Sequence, residues 1–373
     1  MKKLLLASAV SALFAAPATV LAQAKPPAAP TLDKVLEASG ISVSGYIDVG
    51  YTRADRNIEA GIGTPPVAPR VFDNQNNSFA LHQLGLTIAK QPKEGFGGLV
   101  NITAGRDAQA INSFGANTSQ FDLTQAYAQY AGGPLTVIAG KFVTLHSTEV
   151  IASPSNANIS RSILFGSVPF THTGVRGTWA LSDTVSLIGG VNNGWDQLTD
   201  SNKAKTVELG ATLNPIKPLN VAISAYSGKE SVPFATPGSP DGNKTSVNAV
   251  VSYSIIDPLT VGAELLNVSQ DIPGAAKQKY NGFAGYGNYL FTPKLRGAVR
   301  VERFDDKNGF RFNTPPGTKY AEATVTGAYL AADSFELRAE ARRDQASNPV
   351  FANFNGTFSK TLMTIALQGL YKF

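Results

Sequence analysis

Cysteine is absent from the 373 residues. That excludes a disulfide scaffold, a thiolate zinc site and a thiol nucleophile. Charge is scarce as well. Asp, Glu, Lys and Arg together make up 16% of the chain, against roughly 25% in an average soluble domain. A coiled coil, which would be rich in Glu, Lys and Leu, is excluded by the same composition. Beyond residue 22 there is no apolar run of the about 18 residues that a membrane-crossing helix requires. Mean hydropathy is near zero, too polar for a helical membrane protein. No basic run and no aromatic–basic platform is present, so nucleic acid is not an expected partner.

The missing charge is not replaced by a larger apolar share, which stands at 43%. Its place is taken by 35 glycines and by Ser, Thr, Asn and Gln, beside 20 Phe and 12 Tyr. The first 22 residues stand apart. Lys2 and Lys3 precede an apolar stretch from Leu4 to Ala16, and Val20-Leu21-Ala22 offers small residues for cleavage. This is the pattern of a secretory signal peptide. Its removal lowers the formal charge from +5 to +3. Residues 23–40 are expected to be a short periplasmic segment with one helical turn or two, too short to plug a channel.

The remainder, 41–373, alternates. Ile41, Val43, Ile47, Val49 and Tyr51 share one face, with Gly45 the single gap; Ser42, Ser44, Tyr46, Asp48 and Gly50 share the other. Period-two alternation marks a strand with one apolar and one polar side. Phe335, Leu337, Ala339 and Ala341 oppose Glu336, Arg338, Glu340 and Arg342 in the same way, although the run ELRAEARR has high helix propensity. Strict alternation outweighs propensity there. Sixteen such segments are expected, from 41–52 to 358–373. Their connections alternate without exception between short (for example 132–134 and 256–258) and long (for example 143–171). Pro134-Leu135-Thr136-Val137, Pro218-Leu219-Asn220-Val221 and Pro258-Leu259-Thr260-Val261 are near repeats at three of the short turns, where proline pre-sets the turn and a strand restarts.

A soluble sandwich has no reason to place every long loop at one end. A transmembrane antiparallel β-barrel does, with short periplasmic turns and long outer loops. The reading is therefore all-β: one sixteen-stranded barrel in the bacterial outer membrane, its apolar rows toward lipid and its polar rows toward a lumen. The last strand alternates through Met363, Ile365, Leu367 and Gly369 to Tyr371 and Phe373. A terminal aromatic of this kind is the expected signal to the barrel assembly machinery.

Several stretches between 79 and 205 resemble the OmpL-like β-barrel porin family. They are Gly105-Arg106-Asp107-Ala108, Gln125-Ala126-Tyr127, Gly140-Lys141-Phe142, Ser160-Arg161-Ser162, Phe170-Thr171-His172-Thr173-Gly174-Val175-Arg176 and Asn193-Gly194-Trp195-Asp196. The resemblance implies an outer-membrane channel and brings no catalytic residue, cofactor or named substrate with it.

Two features carry the functional expectation. The segment 143–171 is too long for a passive connector. It holds His146, Glu149 and Arg161 and an apolar patch, Ile163-Leu164-Phe165. It is expected to fold into the lumen and narrow it, the bland alternative being a surface loop over the mouth. Charge also lies on the inward rows: Arg296, Arg300 and Glu302 on one strand, Glu322 on the next, and Glu336, Arg338, Glu340 and Arg342 on the one after, joined by Arg176, Glu208, Glu264 and Asp48. On the lipid face each charge would cost roughly 2–4 kcal/mol near the midplane. Such rows either screen solutes electrostatically or brace the wall as ion pairs. Arginines at 161, 296, 300 and 338 are the expected attraction for anions, with Glu149, Glu302 and Glu336 opposing them. The expected activity is passive diffusion of small hydrophilic solutes or ions, with no metal and no cofactor. The alternatives are a structural anchor or adhesin and, behind it, a barrel enzyme; His82, His146 and His172 are too scattered for a zinc motif and lack a nucleophile elbow. A homotrimer is expected by analogy with sixteen-stranded porins.

Overall fold

A computed structural model describes residues 31–59, 69–111, 120–231 and 241–373. The leader at 1–22 and residues 23–30 of the segment 23–40 lie outside the described residues. Leu32–Ser39 is a short helix, α1, in a unit of its own. The second unit, from Gly40 to Phe373, is the barrel.

Its strands, in chain order, are β1 (Ser42–Ala54), β2 (Ser78–Lys90), β3 (Gly95–Ala104), β4 (Phe121–Gly132), β5 (Leu135–Val143), β6 (Thr171–Ser182), β7 (Val185–Asn192), β8 (Thr206–Ile216), β9 (Leu219–Glu230), β10 (Gly242–Ile256), β11 (Leu259–Gln270), β12 (Gln278–Thr292), β13 (Leu295–Asp306), β14 (Thr318–Ala332) and β15 (Phe335–Ala346). A two-residue ladder, β16 (Phe351–Ala352) with β17 (Phe358–Ser359), decorates the last long loop before β18 (Thr361–Lys372). Sixteen strands, β1 to β15 and β18, close in sequence order into one antiparallel barrel. The expected segment 97–108 stops at Ala104, because Gly105 turns at a φ of 116°. The chain then runs into a single helical turn, Ala108–Ile111.

Burial is inverted relative to a soluble protein, and the inversion follows the sequence alternation. In β15 exposed and buried residues alternate over all twelve positions. Leu337 is exposed while Arg338 and Arg342 are buried. The exposed rows are Val, Leu and Ile: Val325 at 60% and Ile365 at 64% are typical. No solvent core could be built that way. A hydrocarbon surround makes it the favourable arrangement, because lipid takes the apolar row and closure leaves no unpaired strand edge. Near the short-turn end, outward aromatics gather: Trp179, Tyr329, Phe291, Tyr371 and Phe373 are all exposed. Trp179, Tyr329 and Tyr371, with an apolar body and a polar tip, suit a membrane–water boundary.

Closure is made by the C-terminus. β18 pairs with β1 from Tyr46↔Lys372 to Ala54↔Thr364. Phe373 donates to the Gly45 carbonyl at 2.9 Å and accepts from the Gly45 amide at 2.8 Å. The single gap in the apolar row of β1 now has a cause. A side chain at Gly45 would run into the Phe373 ring, so the terminal aromatic lies where the glycine leaves room.

Candidate functional site: the loop held inside the wall

The connection from β5 to β6, residues 144–170, is built around its own polar groups and those of the wall. Its neck is closed by Thr144, whose amide donates to the Phe170 carbonyl at 3.0 Å. Asp196 holds the other side of the neck, accepting from the amides of Phe170 and Thr171 at 2.7 and 2.9 Å. Burial raises the Asp196 carboxyl to about 6. The chain then meets the barrel strand by strand. Leu145 donates to the Tyr226 hydroxyl on β9 at 2.8 Å. The His146 ring sits between Ser224 on β9 (2.6 Å from Nδ1) and Ser246 on β10 (2.9 Å from Nε2). Burial pushes its imidazole down to about 3, so it is a neutral ring bridging two hydroxyls. Thr148 donates to Glu264 on β11 at 3.0 Å.

The far half of the loop is held by carboxylates. Glu340 on β15 accepts from Ile159 and Ser160 at 2.6 and 3.0 Å. Glu302 on β13 accepts from Ile163 and Leu164 at 2.8 and 2.6 Å. Glu149, within the loop, accepts from Ser162 at 2.8 Å. Asn158 donates to Thr326 on β14 at 2.7 Å, Tyr280 on β12 donates to the Ser167 carbonyl at 2.9 Å, and Ser153 donates to Gln83 on β2 at 3.2 Å. The loop's bonds thus end on β2 and on every strand from β9 to β15. Ile163 and Leu164 complete the anchorage by packing with Tyr280, Phe304, Phe312 and Tyr320 in one buried cluster. Backbone amides buried away from water must find acceptors, and a carboxyl group, with two oxygens, takes two at once.

The inward charges also find partners. Arg300 meets Glu149 at 2.7 Å and Glu322 at 3.1 Å. Arg342 meets Asp344 at 2.7 Å and gives a hydrogen bond to the Arg161 carbonyl at 2.5 Å. Asp344 in turn takes Arg70 at 2.6 Å, and Arg70 also pairs with Asp73. On the opposite wall Arg176 meets Glu208 at 2.6 Å and stacks over Phe142. Glu264 is held by Asn248 at 2.8 Å as well as by the loop. Arg161 is the centre of the loop itself: its guanidinium donates to the carbonyls of Val150, Ile159 and Ile151 at 2.9–3.0 Å, and only 1% of it is exposed. Glu336 pairs with both Arg338, at 2.7 Å, and Arg296. Tyr371 and Phe373 stand together at the lipid face, ring centres 6.0 Å apart.

The charges expected inward from strand parity lie on the inward rows, and six of them, Glu264, Arg300, Glu302, Arg338, Glu340 and Arg342, bond directly to the loop. The residues that sequence reasoning missed are their partners. Asp344 was within reach, since it continues the inward row of β15 by two positions. Arg70 and Asp73 carry no signal, and the polar-row places of Ser224 and Ser246 do not name their partner, because nothing in spacing reports that a loop residue will meet a wall residue far along the chain. Among the described residues no group of three His, Cys, Asp or Glu side chains is placed to hold a metal. His146 has two serines for partners and no carboxylate, which is not a relay for a nucleophile.

The model of the family described as "Putative beta-barrel porin-2, OmpL-like" matches residues 40–373. The chain belongs to that family. Solved structures share the porin fold at low sequence identity. The anion-selective porin from Comamonas acidovorans is 10% identical with a TM-score of 0.62, over 89% of this chain and 99% of that one. OprB of Pseudomonas putida is 13% identical with a TM-score of 0.60, over 91% and 96%. OmpT of Vibrio cholerae in its trimer form is 10% identical with a TM-score of 0.61, over 89% and 99%. No curated protein matches the sequence. The chain is accordingly a porin-family barrel of the outer membrane, and the alternation of short turns and long loops is that of its structural neighbours' class.

Proposed function

We propose that this porin-family barrel lets small hydrophilic solutes and ions diffuse passively across the outer membrane. The observation that carries the reading is a closed ring of sixteen strands with polar inward rows and a long loop bonded to those rows from within. Sixteen strands enclose more space than side chains alone fill. A loop fixed to the wall narrows that space and sets the size limit, so the 143–171 segment is the constriction. Short turns face the periplasm and long loops the outside. Tyr371 and Phe373 present the outward C-terminal aromatics that the assembly machinery reads. The protein is not an enzyme, needs no cofactor, and works as a homotrimer, the form in which the similar OmpT barrel was solved. The lumen charges act in two groups: Glu149, Arg161, Arg176, Glu208, Glu264, Arg300, Glu302, Glu322, Glu340 and Arg342 shape the constriction, and Arg296, Glu336 and Arg338 meet the solute.

An anchor with an occluded lumen is the second reading. It is favoured by the buried aromatic cluster of Tyr280, Phe304, Phe312 and Tyr320, which fills part of the long-loop half. Recording of the purified protein in a planar bilayer separates the two. Discrete conductance steps are expected; a protein that inserts and conducts nothing would establish the anchor.

A further inference from the structure

We propose that Arg296 and Arg338 form an anion-binding subsite on the lumen wall near the short-turn end, where a small carboxylate or inorganic oxyanion docks in transit. The proposal rests on the porin reading and narrows it to a solute class.

The two arginines are brought together by strand register. Arg296, the second residue of β13, pairs with Ala328 on β14, and Ala328 pairs with Arg338 on β15. Two strand spacings, about 9–10 Å, separate their backbones. Between them stands only the methyl of Ala328. Both side chains belong to the inward rows and both turn to the same acceptor: Glu336 Oε1 takes Arg338 Nε at 2.7 Å and also takes Arg296 Nη2. Two guanidinium groups share one carboxylate oxygen. The other inward arginines are balanced differently. Arg300 has two carboxylates, Arg342 has Asp344 with Glu322 beyond it, and Arg176 has Glu208. At the Arg296–Arg338 pair two wall guanidinium groups rest on the single carboxylate of Glu336, with the Asp48 carboxylate one residue further away, bonded to Gln368.

Hydrogen bonding points the same way. Arg338 has a side chain with no exposure, yet its Nη2 finds no partner among the described residues. Its Nη1 reaches only the Ser153 and Asn158 carbonyls, at 3.3 and 3.5 Å. Arg296 Nε is likewise unpartnered. Its side chain is 24% exposed, which keeps the pair open to the lumen. Gln368 on β18 is the register partner of Arg338. It gives its amide to Asp48 at 2.9 Å and leaves its own Oε1 free of partners. Buried polar groups are satisfied in nine cases of ten or more, so unpartnered guanidinium donors side by side call for an acceptor from outside the chain. Guanidinium donors suit planar oxyanions best. The unpaired Gln368 oxygen next to them would favour an anion that also carries a hydroxyl or amine.

The test is reversal potential in a tenfold KCl gradient across a planar bilayer, with the purified full-length protein, Arg296→Gln, Arg338→Gln and the double variant. The native channel is expected to prefer chloride, and the double variant to lower the chloride-to-potassium permeability ratio at least threefold. Acetate or phosphate added on the short-turn side should reduce native chloride current in a saturable way and leave the double variant's current unaltered. Arg296→Gln guards against misassembly, because Arg296 touches Glu336 and no part of the loop; it should give more than half of the shift on a logarithmic scale. A channel of normal conductance whose ratio is unmoved in both Arg296→Gln and the double variant overturns the proposal alone. A native channel that prefers potassium overturns it too. A protein that never conducts overturns the porin reading itself, and the subsite with it.

Discussion

Replacing Glu302 and Glu340 by glutamine should free the far half of the 144–170 loop without disturbing the barrel. Glu302 accepts two loop amides, at 2.8 and 2.6 Å, and Glu340 accepts two more, at 2.6 and 3.0 Å. A glutamine keeps the shape but offers one acceptor oxygen in place of two. At each site one amide is left buried without a partner. A buried donor stripped of its acceptor costs about 1–3 kcal/mol, so each substitution should weaken the anchorage by about that much. Ser160 and Ile163 lie close together in the loop, so the two losses should not add fully. Taking about 3 kcal/mol for the double variant, the population of the released loop should rise about a hundredfold. The barrel ladder does not depend on either side chain, so heat-modifiable migration on gels should persist. The assay is single-channel recording, with hydrogen exchange at Ile163 and Leu164 as a structural readout. Larger or flickering conductance and faster exchange at those amides are expected. Quiet, native-size currents with unaltered exchange in the double variant would refute the idea that wall carboxylates hold the loop.

Three further outcomes follow from particular contacts. Gly45→Val should reduce assembly or heat stability by about 1–3 kcal/mol through overpacking against Phe373, and Phe373→Ala should relieve part of that loss; simple additivity in the four-way comparison would show that the two do not meet. Val325→Arg, at an outward mid-strand position, should cost about 2–4 kcal/mol in a folding titration into bilayers, whereas a soluble scaffold would tolerate it. Asp196 has a raised carboxyl, about 6, so its proton is bound more tightly in the folded state. That contribution is full below the ordinary carboxylate range and is lost as pH rises through about 6. Heat stability of the native protein should therefore fall between pH 4 and 7 by more than that of Asp196→Asn, and parallel profiles would count against it.

Much of this architecture is local in origin. Alternation along Phe335, Glu336, Leu337 and Arg338 states which face of β15 meets lipid, because successive side chains point to opposite sides and a charge cannot face hydrocarbon cheaply. Pro134, Pro218 and Pro258 mark tight turns through their own backbone restriction. The count of strands, the inverted burial and the outward C-terminal Phe373 all follow from such short-range rules. What parity leaves open is the partner. Arg161 and Arg338 look equivalent as isolated positive residues, yet one is enclosed by three carbonyls of its own loop and the other keeps an unpartnered donor on the wall. Glu302 reads as a lumen charge and acts as a clasp for two amides 138 and 139 positions away. Those assignments depend on how the loop is laid across the barrel and on the register between strands, which place residues far apart in sequence within hydrogen-bond distance. Spacing along the chain determines the face of a strand; only closure of the barrel around its own loop decides which inward charges remain for a solute.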